Sequence, residues 1–214
     1  MKKHSRPPRR SHLTSSSSEF VLDSKSAIAE FKRHKPGAIV SEGEDVANVH
    51  LEPKDFVAFC EEAKERKSDL ILALDHVTDP RNLGAIVRTA AFFGVREVIV
   101  PQDRQADLSQ SAVATSMGGF ALCDLVRVVN LNRAIEELKE IGYWVIGADV
   151  GGQKPAGLRE KYEKLVLVLG AEEKGMSKTV RDKCDVLVGI DGKGPSLQSL
   201  NVSVAAGILI AQLT

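Results

Sequence analysis

The chain has 214 residues, 29 Lys+Arg against 29 Asp+Glu for a formal net charge of zero, and is 43% apolar but only 5% aromatic. That length suits one globular domain with an appendage. The apolar fraction, 17 Gly and 3 Cys exclude disorder throughout, a collagen-like repeat and a disulfide mini-scaffold, and the overall basic balance usual in nucleic-acid binders is missing.

The zero is a sum of unlike parts. Residues 1–18, 19–69 and 70–214 carry +5, −4 and −1. The basic head (Lys2, Lys3, Arg6, Arg9, Arg10) has Pro7, Pro8 and the run Ser15 to Ser18 but almost nothing apolar, so 1–18 is expected to be a disordered basic tail. It lacks the apolar core of a secretory signal. Residues 19–69 read as a short extension or linker with helices. One is expected over Ser24 to His34, stopped by Pro36-Gly37, and another from Pro53 to about Lys67 with Phe56, Phe59, Cys60 and Ala63 on one stripe, while Val46 to Leu51 could be extended.

From Leu70 onward the texture changes. Six short apolar runs, at 70–74, 97–100, 125–129, 143–148, 165–169 and 186–190, alternate with helical segments at about 81–93, 107–117, 131–141, 177–184 and 199–213. Strands apolar on both faces and separated by helices predict an α/β fold, a parallel six-stranded sheet flanked by helices. In such sheets ligands bind beyond the carboxyl ends of the strands, so the loops there are the candidate sites. Cys60, Cys123 and Cys184 are odd in number and widely spaced, which points to buried thiols in a reducing cytoplasm and away from a zinc site. The uncharged stretch Gly194 to Thr214 is too interrupted to span a bilayer.

Three segments stand out. In Leu74-Asp-His-Val-Thr-Asp-Pro-Arg-Asn82 and the helix that follows, Arg88 is the sole charged side chain between Leu83 and Val95. With no local acid it reads as a partly desolvated cation, suited either to a ligand phosphate or to a distant salt bridge. Asn82, near the helix start, could be a plain cap. In Leu165 to Ser177, Gly170, Gly175 and Ser177 fit the phosphate-loop pattern, but Met176 replaces its lysine, which argues against a nucleotide triphosphatase. What remains is a Gly-rich loop bearing Glu172. The third segment, Ile190 to Ile210, leads from a strand end through Gly192 and Gly194 into a helix apolar nearly all round, with Ser199 as its expected cap and Asn201 in its first turn.

In this order and spacing, Asn82-Leu-Gly-Ala-Ile-Val-Arg88-Thr-Ala, Leu169-Gly-Ala-Glu172 with Gly175, and Ser199-Leu-Asn-Val-Ser-Val-Ala205 resemble the three motifs of the SpoU (TrmH-type) RNA 2'-O-ribose methyltransferases of the SPOUT superfamily. The resemblance covers about residues 70–213. Leu74-Asp-His-Val-Thr-Asp-Pro and Val100-Pro-Gln-Asp-Arg104 are closest to the RlmB-like branch, which acts on a guanosine of 23S ribosomal RNA. The resemblance implies a C-terminal trefoil knot, a homodimer, S-adenosyl-L-methionine as cofactor, RNA as partner (ribosomal rather than transfer RNA), and a catalytic domain over 70–214 that needs no metal. Carried over residue by residue, Leu169, Gly170, Ile190 and Leu200 are expected at the cofactor, and Asn82, Arg88, Glu172, Ser199 and Asn201 in the catalytic cluster. Arg88 is then either the general base or a clamp on phosphate and oxyanion, with Glu172 or water taking the proton. The chain departs from the family in Asp191-Gly-Lys after Ile190 and in the few residues that precede the catalytic domain.

Overall fold

The computed structural model describes residues 18–103, 105–192 and 199–214. The basic tail up to residue 17, Arg104 and the loop 193–198 lie outside them. In chain order the elements are β1 (Ser18–Leu22), α1 (Lys25–His34), β2 (Ile39–Glu42), β3 (Ala47–Leu51), β4 (Lys54–Asp55), α2 (Phe56–Lys64), β5 (Asp69–Asp75), α3 (Pro80–Phe92), β6 (Glu97–Pro101), α4 (Gln110–Ser116), β7 (Asp124–Val128), α5 (Leu131–Glu140), β8 (Trp144–Gln153), α6 (Leu158–Lys161), β9 (Lys164–Gly170), α7 (Lys178–Arg181), β10 (Val186–Val188) and α8 (Val202–Leu213).

All six expected strands of the main sheet form, and the sheet has one more. Its order is β10-β8-β9-β5-β6-β7-β4, every neighbouring pair parallel, so it holds seven strands rather than six. The addition, β4, is two residues long, below any periodicity a sequence could display. It occupies the stretch expected to be helical after Pro53, where Asp55 caps α2 by accepting the Ala58 N–H at 2.9 Å.

β5 and β9 are buried along nearly their whole length, which explains their unbroken apolar runs. Alternate side chains feed two cores. Leu70, Leu72 and Leu74 meet Leu83, Ile86 and Val87 of α3 and Leu209 of α8, while Ile71 and Ala73 face Phe59 of α2, Ile135 of α5 and Val180 of α7. From β5 the chain steps outward through β6 and β7, then returns to the other side through β8, β9 and β10. The order reverses between β5 and β9, and their carboxyl ends make the crevice where open α/β sheets hold ligands.

Residues 18–51 carry more strand than expected. β1, β3 and β2 form an antiparallel sheet whose inner face (Phe20, Leu22, Ala47, Val49, Leu51) joins the α3-side core. The edge strand β1 is covered by a side chain that mimics a strand. Val21 donates its N–H to Gln110 Oε1 at 2.8 Å, and Gln110 Nε2 donates to Val21 O at 2.6 Å. α1 packs closely on the turn before β7, where a Cβ on Gly118 would lie 3.0 Å from Ala27 Cα.

Candidate active site

Helix α3 starts one turn beyond the end of β5. Asp79 is its cap, accepting the Arg81 N–H at 2.8 Å, and Pro80 occupies the first helical position. Asn82 is therefore no cap, and its amide is free to reach across the crevice. At the end of β9 the chain folds back on itself. Ala171 and Gly175 exchange N–H···O bonds of 3.1 and 2.8 Å, and Gly175 has φ +64°. A Cβ on Gly170 would lie 2.1 Å from Met176 N, so this position admits glycine alone. The hairpin lifts Glu172 to the rim. Helix α8 begins at Val202, and its cap is Asn201 rather than Ser199. Asn201 Oδ1 accepts the Ser203 N–H at 2.9 Å and the Ser203 hydroxyl at 2.6 Å. A side chain that bonds its own helix start two residues on outcompetes a serine placed too far upstream.

These three elements converge on one carboxylate. Asn82 Nδ2 donates to Glu172 Oε1 at 2.9 Å, Asn201 Nδ2 donates to the same oxygen and to Asn82 Oδ1 at 3.1 Å, and the Val202 N–H approaches Glu172 Oε1 at 3.4 Å. An anion at the start of the twelve-residue α8 also lies at the positive end of the helix dipole. Among the described residues no cation pairs with Glu172, and its second oxygen, Oε2, has no protein donor. A carboxylate fixed through one oxygen and open at the other is arranged to take a hydrogen bond or a proton from something that docks there.

Two of the five expected catalytic residues stand apart. Ser199 is exposed, and no hydrogen bond links it to the described residues. Arg88 is exposed rather than partly desolvated. It lies six residues beyond Asn82, about 9 Å along α3 and about 120° round its axis. There it borders a 370 Å³ hollow with Glu30, Phe92, Met117 and Leu122. The α3 backbone at Arg88 passes within 3.1 Å of where a Cβ on Gly119 would sit. The apolar run around Arg88 is inward-facing for Ile86, Val87 and Ala90, but residue 88 itself falls on the outer face, and helical phase rather than composition decides its exposure.

Of the residues expected at the cofactor, Leu169 and Gly170 end β9 at the crevice. Leu169 is buried in β9 opposite Leu74, and Gly170 stands opposite Asp75. Ile190 is partly buried against the α3-side core, and Leu200 is 44% exposed. Asp75 and His76, at the end of β5, have no role assigned by the sequence. In the structure His76 adopts φ +63°, a conformation that favours glycine.

The model of the SpoU rRNA methylase family matches residues 69–211. The chain belongs to the SpoU rRNA methylase family. This SpoU chain is 37% identical over 201 residues to an uncharacterized tRNA/rRNA methyltransferase of Mycolicibacterium vanbaalenii, an alignment covering 91% of the chain and 63% of the relative. It is 42% identical over 144 residues to the Mycolicibacterium smegmatis counterpart, covering 67% of the chain and 46% of the relative. It thus spans under two thirds of the length of these relatives. Among solved structures, the SpoU methyltransferase AviRb of Streptomyces viridochromogenes with AdoMet superposes with a TM-score of 0.76 at 21% identity, over 91% of this chain and 89% of that one. An AdoMet-bound rRNA methyltransferase of Sinorhizobium meliloti gives 0.68 at 24% identity, over 81% and 65%. At these identities the likeness is one of fold.

Proposed function

We propose that the protein methylates a ribose 2'-hydroxyl of RNA, with a guanosine of 23S ribosomal RNA as target, as a cytoplasmic homodimer carrying the C-terminal trefoil knot. The observation that carries the reading is the convergence of Asn82 and Asn201 on one oxygen of Glu172 at the crevice between β5 and β9. The cofactor is S-adenosylmethionine, the AdoMet of the two superposed relatives. The residues present fit it. Ile190 and Leu200 offer apolar, partly uncovered side chains for a purine, and Gly170 keeps side-chain bulk out of the floor. S-adenosylmethionine supplies an electrophilic methyl group on a sulfonium sulfur.

The protein's share of the work is positioning and proton removal. Asn82 and Asn201 hold Glu172 so that Oε2 faces the incoming hydroxyl and accepts its proton as the ribose oxygen takes the methyl. A guanidinium is a poor base, so Arg88 is assigned to grip the neighbouring phosphate. Because Arg88 lies about 120° round α3 from Asn82 and borders a separate hollow, we assign it to the site of a second copy. The apolar side chain left uncovered beside it, Phe92 at 82% exposure, suits a contact between copies.

Mapping 2'-O-methyl groups in total RNA from cells with and without the protein tests the assignment. Loss of one guanosine mark in 23S RNA is the expected result, a lost transfer-RNA mark moves the target, and an unchanged map removes the reading. Replacing Arg88 with Lys tests the division of labour. Methyl transfer should persist with RNA binding weakened by roughly tenfold, as for a lost bidentate phosphate contact, whereas abolished transfer at saturating RNA would return the base role to Arg88.

A further inference from the structure

On the far side of the loop that carries Glu172 lies a carboxylate to which the reaction described above gives no task. Asp75 ends β5 at 3% exposure and shares the sheet face of Ile71 and Ala73, opposite to α3 and α8. Both its oxygens are engaged. Oδ2 accepts the Ser177 N–H at 2.6 Å, and Oδ1 is 2.6 Å from His76 Nδ1. Ser177 is the last residue of the Glu172 loop, and Gly170, its first, lies opposite Asp75 in the β5–β9 register. One side chain therefore holds the closing end of a loop whose opening end is fixed beside it by the strand ladder.

His76 adds the second half. It keeps φ +63° although it is neither Gly nor Asn, and strained backbone of this kind persists where the surroundings over-determine it. Here the surroundings are the Asp75 carboxylate, which holds the imidazole on the turn leading from β5 to α3 and so to Asn82. The ring is 40% exposed, and its Nε2 has no partner among the described residues. A buried carboxylate is a costly way to satisfy one backbone N–H, for which a neutral side chain would serve. A carboxylate that ties the two loops supplying Asn82 and Glu172 accounts for both the burial and the strain.

We propose that Asp75 and His76 form a positioning pair: together they lock the 170–177 loop to the β5–α3 turn, so that Glu172 meets Asn82 and Asn201 in the geometry the proton transfer needs. This rests on the reading of Glu172 as proton acceptor. The pair acts through Glu172 and touches no substrate.

The test combines turnover with hydrogen exchange on the full chain. Asp75→Ala should lower kcat about 100-fold, the penalty for misplacing a reacting group by about 1 Å, and leave KM for cofactor and RNA within about threefold. Asp75→Asn, which keeps an oxygen for the Ser177 N–H, should recover to within about tenfold of wild type, since the neutral bond it keeps is weaker than the charged one it replaces. His76→Gly adopts φ +63° freely, so its expected fall of about fivefold, the order of one modest hydrogen bond, reports the imidazole alone. In a Glu172→Gln background Asp75→Ala should cost less than about threefold, because residues acting as a unit are not additive. Amides of 170–177 should exchange faster in Asp75→Ala, with those of α5 unchanged. Wild-type kcat in folded Asp75→Ala or His76→Gly, or an undiminished loss in the Glu172→Gln background, overturns the pair. If the wild-type protein methylates no RNA, the functional reading falls by itself. The exchange measurement then still decides, since unchanged protection of 170–177 overturns the lock and lost protection upholds it.

Discussion

The two edges of the main sheet handle charge in opposite ways. Where β5, β6 and β8 start, Asp69 and Glu97 are buried at 7% and 2% exposure and fully matched. Arg66 grips Glu97 through two bonds of 2.8 and 2.6 Å and Asp69 through a third of 2.7 Å, and the Tyr143 hydroxyl donates to Asp69 at 2.6 Å. Where β5 and β9 end, Glu172 is exposed and held by amides, with no cation from the described residues. Charges that are buried and paired with forked geometry serve the fold. A charge fixed by neutral donors and open at one oxygen is available to a ligand. The contrast separates stability from function along strands of only seven residues.

The sharpest way to break the contrast is to remove the cation at the starting edge. Arg66→Ala leaves buried Asp69 with the Tyr143 hydroxyl alone and Glu97 with only the looser Lys54 contact at 3.7 Å, which costs about 3–5 kcal/mol and lowers the thermal midpoint by roughly 10 °C for a domain of this size. The folded fraction should turn over normally. A melting curve and a rate normalised to folded protein check this, and a fall in the normalised rate would show that the two edges are coupled. Second in size, Glu172→Gln at the opposite edge should slow methyl transfer by about 100-fold or more while moving stability by less than about 1 kcal/mol. Equal losses of rate and stability would mean that the ending edge is also structural.

The sequence showed these two edges unequally. The six apolar runs mark β5 to β10 because strands buried on both faces leave no polar position to obscure them. Helix α5, with Leu131, Ala134, Ile135 and Leu138 inward, has its limits set within a residue by Asn130 and Gly142. The starting-edge network stayed hidden because the Arg66–Asp69 turn, Glu97 and Tyr143 come from three separate segments, and only the parallel register brings them together. At the ending edge the resemblance groups Asn82, Glu172 and Asn201, which the fold brings together, whereas the expected desolvation of Arg88 does not arise, because an uncharged neighbourhood in sequence does not fix which way a helical residue faces. β1 and β2 escaped because short strands with polar outer faces pair only once β3 lies between them.

The smallest expected effect dissects the starting edge itself. Burial, and then the bond to Asp69, raise the Tyr143 hydroxyl above its ordinary titration range. An acid whose pKa is raised by folding keeps its proton in the native state after the unfolded chain has begun to lose it, which for tyrosine starts near pH 10. Above that pH the unfolded state binds fewer protons, so the stability from this group is complete below about pH 10 and declines as pH rises. Tyr143→Phe removes one hydrogen bond to a charged acceptor, about 1.5–2 kcal/mol at pH 7, together with its share of the alkaline decline. Cys60 and Cys184, pushed up to about 11 by burial, contribute the same slope to both proteins and cancel in the difference. Urea unfolding at pH 7, 9 and 10.5 should therefore show the gap between wild type and Tyr143→Phe narrowing at the highest pH. A constant gap would show that the phenol ionises no later in the fold than out of it, and that Arg66 alone balances Asp69.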